Sequence, residues 1–245
     1  GYAGCYMKTR DYAEIEGETL TVVSDETAPF AVVKNAFPYS EGDFYGIKIE
    51  GYDIKTAKEV SFIVEDDVKV VESGLIYQEM SKCLGNHKMI ELGELLNLSD
   101  SEKSRYISSI TDIGSGDIVR YELIGNGKKS RALERVFTYD NEHTAVQQQS
   151  VWLAVNGNYP DHYIAFNRFQ YAEITEITSK TVKLTMQNGN SEIYPIDAFS
   201  KILLCSNKKL TPKTSIIAYS GDKYRIMFYC DNASPKTAVV YEYKN

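Results

Sequence analysis

Ser115-Gly116-Asp117-Ile118-Val119-Arg120-Tyr121-Glu122-Leu123 recurs later in the chain as Ser220-Gly221-Asp222-Lys223-Tyr224-Arg225-Ile226-Met227-Phe228. In both places a Ser-Gly-Asp turn leads into a strand. Gly116 and Gly221 supply backbone angles that other residues resist, and Asp117 and Asp222 can accept bonds from nearby amides. Arg120 and Arg225 hold the same place in their strands and are expected to point outward from a half-solvated surface. A polar turn and a closing strand follow each copy, Arg131–Phe137 in the first and Lys236–Tyr243 in the second.

Working outward, each copy is preceded by a hairpin and a short apolar strand. These are Gly46–Val64 with Val68–Val71, and Ala172–Ile196 with Lys201–Cys205. The same five-strand plan therefore occurs twice, and the expected fold is all-β, with tandem small β-barrel or sandwich modules that hide their strand edges. The implied organisation is an N-terminal β-hairpin segment over 1–42, a first module over 43–139, a linker and hairpin over 140–165, and a second module over 166–245. The first module carries a short helical insertion over 75–110. There Ile90, Leu92, Leu95, Leu96 and Leu98 do not alternate, and Ser99-Asp100-Ser101-Glu102 reads as a helix start.

The remaining elements follow from turn residues and alternation. Tyr12–Ile15 and Thr19–Val23 flank the Glu16-Gly17-Glu18 turn, and Phe30–Lys34 is a short run that Pro38–Gly42 is expected to interrupt. Gly125-Asn126-Gly127 predicts one hairpin tip and Asn188-Gly189 another. Trp152–Val155 and Tyr163–Phe166 flank a turn at Asn156–Pro160. Ile216–Tyr219 is read as one more strand before Tyr224.

Composition bounds the function. Apolar residues make up 43% of the 245, enough for real cores, and Tyr (19) outnumbers Phe (9) and Trp (1) together, which favours strands and half-buried contact surfaces. The net charge of -7 and the absence of any long basic run speak against nucleic acid, whose affinity comes from neutralised phosphates. No apolar stretch is long enough for a membrane-spanning helix, so no membrane insertion is expected. The first residue is Gly rather than Met, as expected of a processed or excerpted chain.

No residue pattern announces catalysis or a cofactor. Cys5, Cys83, Cys205 and Cys230 show no metal-ligand spacing, and Cys205 and Cys230 lie in apolar runs where a small buried hydrophobe is the expected role. His87, His143 and His162 have no second ligand nearby in sequence. The Glu65-Asp66-Asp67 cluster sits at a turn and reads as a solvated charge group. We expect no catalytic residues, no metal site and no cofactor. The aromatics are the better clue to binding: Phe44, Tyr45 and Tyr52 in the first module, and Trp152, Tyr159 and Tyr163 ahead of the second, could line a subunit contact or a sugar-stacking face.

The run Gly116-Asp117-Ile118-Val119-Arg120-Tyr121-Glu122-Leu123, with its Gly-containing hairpin, and the ending Pro235-Lys236-Thr237-Ala238-Val239-Val240-Tyr241 resemble the β modules of large cell-surface proteins of Gram-positive bacteria. Those proteins are anchored by S-layer homology repeats. The Leu75–Ile110 insertion has no counterpart in such modules. The resemblance implies a non-enzymatic, extracellular or cell-surface role in spacing, lattice formation or adhesion, through self-association or contact with other assembly proteins. The alternatives are a structural or accessory subunit of a virion or extracellular filament, and a carbohydrate-binding module whose partner is a glycan.

Overall fold

The computed structural model describes residues 12–15, 18–24, 29–41, 44–65, 69–71, 89–102, 113–137, 139, 153–154, 162–165, 169–186, 189–231 and 234–243. They form a mostly β protein: one closed five-stranded barrel, one separate seven-stranded sheet and two small three-stranded sheets.

The barrel consists of β3 (Phe30–Glu41), β4 (Phe44–Asp53), β5 (Glu59–Glu65), β8 (Ile118–Ile124) and β9 (Lys129–Phe137), in the order β3-β4-β5-β9-β8. All neighbours are antiparallel except β5 and β9, which run parallel. The order β8-β3-β4-β5 is a Greek key. Alternate residues of these strands, among them Ala31, Val33, Ile47, Ile49, Phe62, Val64, Val119, Tyr121 and Leu133, fill the interior. Leu92 and Leu95 of the short helix α1 (Leu92–Leu96) join the same core. Just beyond α1, Ser99 and Glu102 form the expected capping pair, with the Ser99 amide and hydroxyl both donating to the Glu102 carboxylate. Much of the stretch 75–110 lies outside the described residues.

Seven strands build the separate sheet: β12 (Phe169–Ile177), β13 (Thr181–Met186), β14 (Ser191–Pro195), β15 (Lys201–Ser206), β16 (Lys209–Lys213), β17 (Tyr224–Asp231) and β18 (Ser234–Glu242). Their order is β14-β13-β12-β17-β18-β15-β16, again with one parallel pair, β15 and β18. A single 3-10 turn at Ile196–Ala198 separates β14 from β15. Ala172, Ile174, Val182, Leu184, Ile226, Phe228, Ala238 and Val240 form the core on one face of this sheet.

Several expectations are corrected. Pro38 does not interrupt β3, which continues to Glu41. Beyond Val32 the strand pairs only with β4 among the described residues, so an imino acid there is tolerated as at a sheet edge. This long strand, which precedes the expected module start at 43, is part of the barrel. The strand expected at Val68–Val71 is β6 (Lys69–Val71), and it pairs with β7 (Met89–Glu91) and β10 (Leu153–Ala154) rather than with the barrel. The hairpin expected across Asn156–Pro160 is not formed by β10 and β11 (His162–Ala165). Instead β11 lies parallel to β2 (Glu18–Ser24), which pairs with β1 (Tyr12–Ile15).

Ile216–Tyr219 is a turn, closed by the Tyr219 amide donating to the Ile216 carbonyl, with Ile216 buried and Ile217 exposed. The strand that sequence reading missed is β16. It forms a hairpin with β15 across Asn207-Lys208, two residues at φ 48° and 58°. Neither is glycine, so the usual turn signal is absent.

Candidate functional site

The feature that organises this molecule is a seam where the barrel and the sheet share one core. Phe30, Val32, Tyr52, Ile54, Ile118, Phe137 and Tyr139 from the barrel side meet Leu203, Cys205, Leu210, Met227, Val239, Tyr241 and Tyr243 from the sheet side. The cause is visible in single strands. Phe30-Ala31-Val32-Val33 and Ala238-Val239-Val240-Tyr241 are each fully buried, because alternate residues enter the unit's own core and its neighbours enter the seam.

Aromatic rings fill the centre of the seam. Tyr241 stacks on Tyr139 with ring centroids 5.0 Å apart and an interplanar angle of 30°, and the Phe137 ring lies tilted with its centroid 5.0 Å from that of Tyr241. Tyr243 meets Tyr139 edge-on at 5.5 Å. Polar atoms cross the seam as well. The Tyr241 hydroxyl donates to the Gly116 carbonyl at 2.7 Å, the Tyr139 hydroxyl to the Glu242 carbonyl at 2.5 Å, and the Cys205 thiol to the Ser115 carbonyl at 3.5 Å. At the margin the Lys201 ammonium donates to the Thr56 carbonyl. Burial pushes the Cys205 thiol and the Tyr171 hydroxyl up to about 12 and raises Tyr241 and Tyr243 well above the usual tyrosine value, so these groups stay neutral.

The repeat-turn residues fall on both sides of this arrangement. Gly116 has φ +97° and sits inside the seam, where an added Cβ would come within 2.6 Å of the Cys205 sulfur. Asp117 is buried and accepts from the Tyr139 and Gly114 amides, which fixes the turn. Gly221 has a similar φ of +107° but faces open space, and Asp222 is exposed. Gly116 donates its amide to Val33 beside the bulge in β3, and Gly221 donates its amide to Ile174 beside the bulge in β12.

The two arginines correct an expectation. Neither points outward: Arg120 is 4% exposed and Arg225 9%. Arg225 bonds the Asp222 and Tyr224 carbonyls and pairs with Glu173 at 2.8 Å, so its charge is satisfied where it is buried. Arg120 lies 3.9 Å from Glu122. A half-solvated strand was expected because the seam cannot be seen in local sequence.

Of the aromatics expected to make contacts, Tyr52 is 7% exposed and belongs to the seam, so it is not a surface platform. Phe44 and Tyr45 begin β4 at the tip of the β3–β4 hairpin, opposite Glu41 and Ser40, and Tyr163 is a backbone member of β11. Trp152 and Tyr159 lie outside the described residues, as do Asp66, Asp67, His87, His143, Cys5 and Cys83. Cys205 is a free, buried thiol, and Cys230 lies in β17. The seam tyrosines Tyr139, Tyr241 and Tyr243 were missed by sequence reading. The signal that could have found them is the lack of alternation in Ala238–Tyr241.

A polar cluster borders the seam. Glu242 accepts from the Ser206 hydroxyl and pairs with the Lys223 ammonium at 2.9 Å. These bonds, with Ser206 foremost, hold its carboxyl below the usual carboxylate range. Among the described residues no group of three or more His, Cys, Asp or Glu is placed to hold a metal ion. No protein-family model matches the sequence, and comparison with curated proteins finds no match.

Proposed function

We propose that this chain is a non-enzymatic structural element of a cell-surface or S-layer-like assembly, made of tandem β modules and acting through protein contacts. The observation that carries the reading is the seam. Two β units joined by a stack of buried aromatics and by hydrogen bonds in both directions form a stiff pair, as a spacer or lattice element requires. Interfaces between domains of one chain are commonly small and polar and leave the domains free to move; this one is neither polar nor open at its centre.

The tandem reading has its own support. Both units begin with a bulged strand that accepts the amide of the glycine in a Ser-Gly-Asp turn, and in both the strand after that turn pairs with this first strand. On this reading β14 and β15 are one strand of the second module bent at Pro195–Ala198, and the stretch 75–110 is an insertion in the first.

Two measurements on the full chain test the proposal. Pulling single molecules from their two ends should unfold barrel and sheet in one coupled event, and sedimentation over a wide concentration range should show reversible self-association. Separate unfolding of the two units, together with a strictly monomeric protein, would overturn it.

A further inference from the structure

On the side of the barrel formed by β3, β4 and β5, strand register places a set of side chains that the seam does not use. Asn35 lies opposite Glu50 and Phe37 opposite Lys48, while Tyr39 lies opposite Gly46, which has no side chain. On the other flank Lys48 is opposite Ile63, and Glu50 is opposite Ser61. The alternate residues Ile47, Ile49, Phe62 and Val64 are buried in the barrel, so this row faces outward. Phe37 is 39% exposed, so part of its ring is open on this face.

The polar groups beside it are already held in place. The Lys48 ammonium sits 5.8 Å from the Phe37 ring centre and 3.1 Å from a Glu50 carboxylate oxygen, and the Asn35 amide donates to the other Glu50 oxygen at 3.3 Å. The Tyr39 hydroxyl donates to Glu41.

We infer that this outer face is a binding site for a neutral oligosaccharide, with Phe37 and Tyr39 as the stacking platform and Asn35, Lys48 and Glu50 as the hydrogen-bonding groups. Phe37 and Tyr39 are two residues apart on one strand, about 7 Å, the scale of adjacent sugar rings. A sugar presents an apolar C–H face flanked by hydroxyls that both donate and accept. It is met here by an aromatic ring flanked by a carboxylate, an amide and an ammonium. The charge balance favours a neutral ligand: Lys48 pairs with Glu50, and with Lys34 and Glu41 nearby the described charged groups of this face sum to zero. The Lys48 and Asn35 bonds hold the Glu50 carboxyl below the usual carboxylate range and fix its two oxygens in place. This site goes beyond the structural role, and its failure would leave the stiff two-unit reading standing.

The test is binding of the full chain to immobilised neutral oligomers of glucose, xylose and N-acetylglucosamine, with a single-stranded oligonucleotide as a further probe. At least one neutral oligomer should bind, and Phe37→Ala should weaken it by about fivefold or more. Asn35→Ala should also weaken it, whereas Ile193→Ala, at an exposed position on β14 of the other sheet, should bind as the parent does. The proposal is overturned if no neutral oligomer binds, if Phe37→Ala binds as tightly as the parent, or if only the oligonucleotide binds.

Discussion

Gly116 and Gly221 stand in the same short motif with nearly the same backbone angle, yet they face different surroundings. Alanine at either position is strained by a positive φ, costing about 1 kcal/mol or more. At Gly116 the new Cβ would also press on Cys205 and Tyr139, which adds roughly 1–3 kcal/mol of overpacking. Gly116→Ala should therefore lower the denaturation midpoint clearly more than Gly221→Ala, and equal losses would argue that the turn does not dock in the seam. Tyr241→Phe keeps the ring but strands the buried Gly116 carbonyl, and should cost about 1–3 kcal/mol in chemical denaturation. The arginines carry the opposite lesson from the same motif. Arg120 and Arg225 look like solvated strand residues in sequence, and only the packing around them makes them buried.

At the scale of elements, β15 and β16 are joined by a tight turn that the sequence disguises. Asn207 and Lys208 both adopt left-handed backbone angles, which asparagine tolerates and lysine does not favour. Lys208→Gly should relieve that strain and raise stability by roughly 0.5–1 kcal/mol, measured by thermal unfolding, because lysine makes no buried contact there. A loss of stability would mean that the turn geometry is held by something other than backbone preference. The neighbouring elements were easier to read. Gly125, Gly127 and Gly189 mark hairpin turns as expected, each at positive φ, because the turn chemistry is local. The reach of β3 past Pro38 was not legible, since whether a proline interrupts a strand depends on which edge of that strand is paired.

At the scale of the whole molecule, the polar cluster bordering the seam ties stability to pH through Glu242. Its carboxyl is held below the 4.5 of the free group, so the folded state gains from the ionised form. That contribution is complete above about pH 4.5 and is lost as the pH falls through the lower, folded value. Glu242→Gln should be less stable than the parent at neutral pH and should lose less on acidification. Parallel acid-unfolding curves for the two proteins would show that Glu242 does not couple to folding. The partners to which this coupling belongs, Ser206, Lys223 and Tyr224, come from two separate parts of the chain.

The sequence by itself determined the β character, most strand positions and the two Ser-Gly-Asp turns, because alternation and turn residues act over a few neighbouring positions. It also located α1 and the Ser99–Glu102 cap, whose interactions span three or four residues. Tertiary structure alone decided that Tyr52, Arg120 and Arg225 are buried, that β6 leaves the barrel, and that Phe37 rather than Tyr52 offers an exposed ring. Those outcomes depend on which second surface covers a strand's outer face. A strand's sequence records that its residues alternate, and the fold supplies what each face meets.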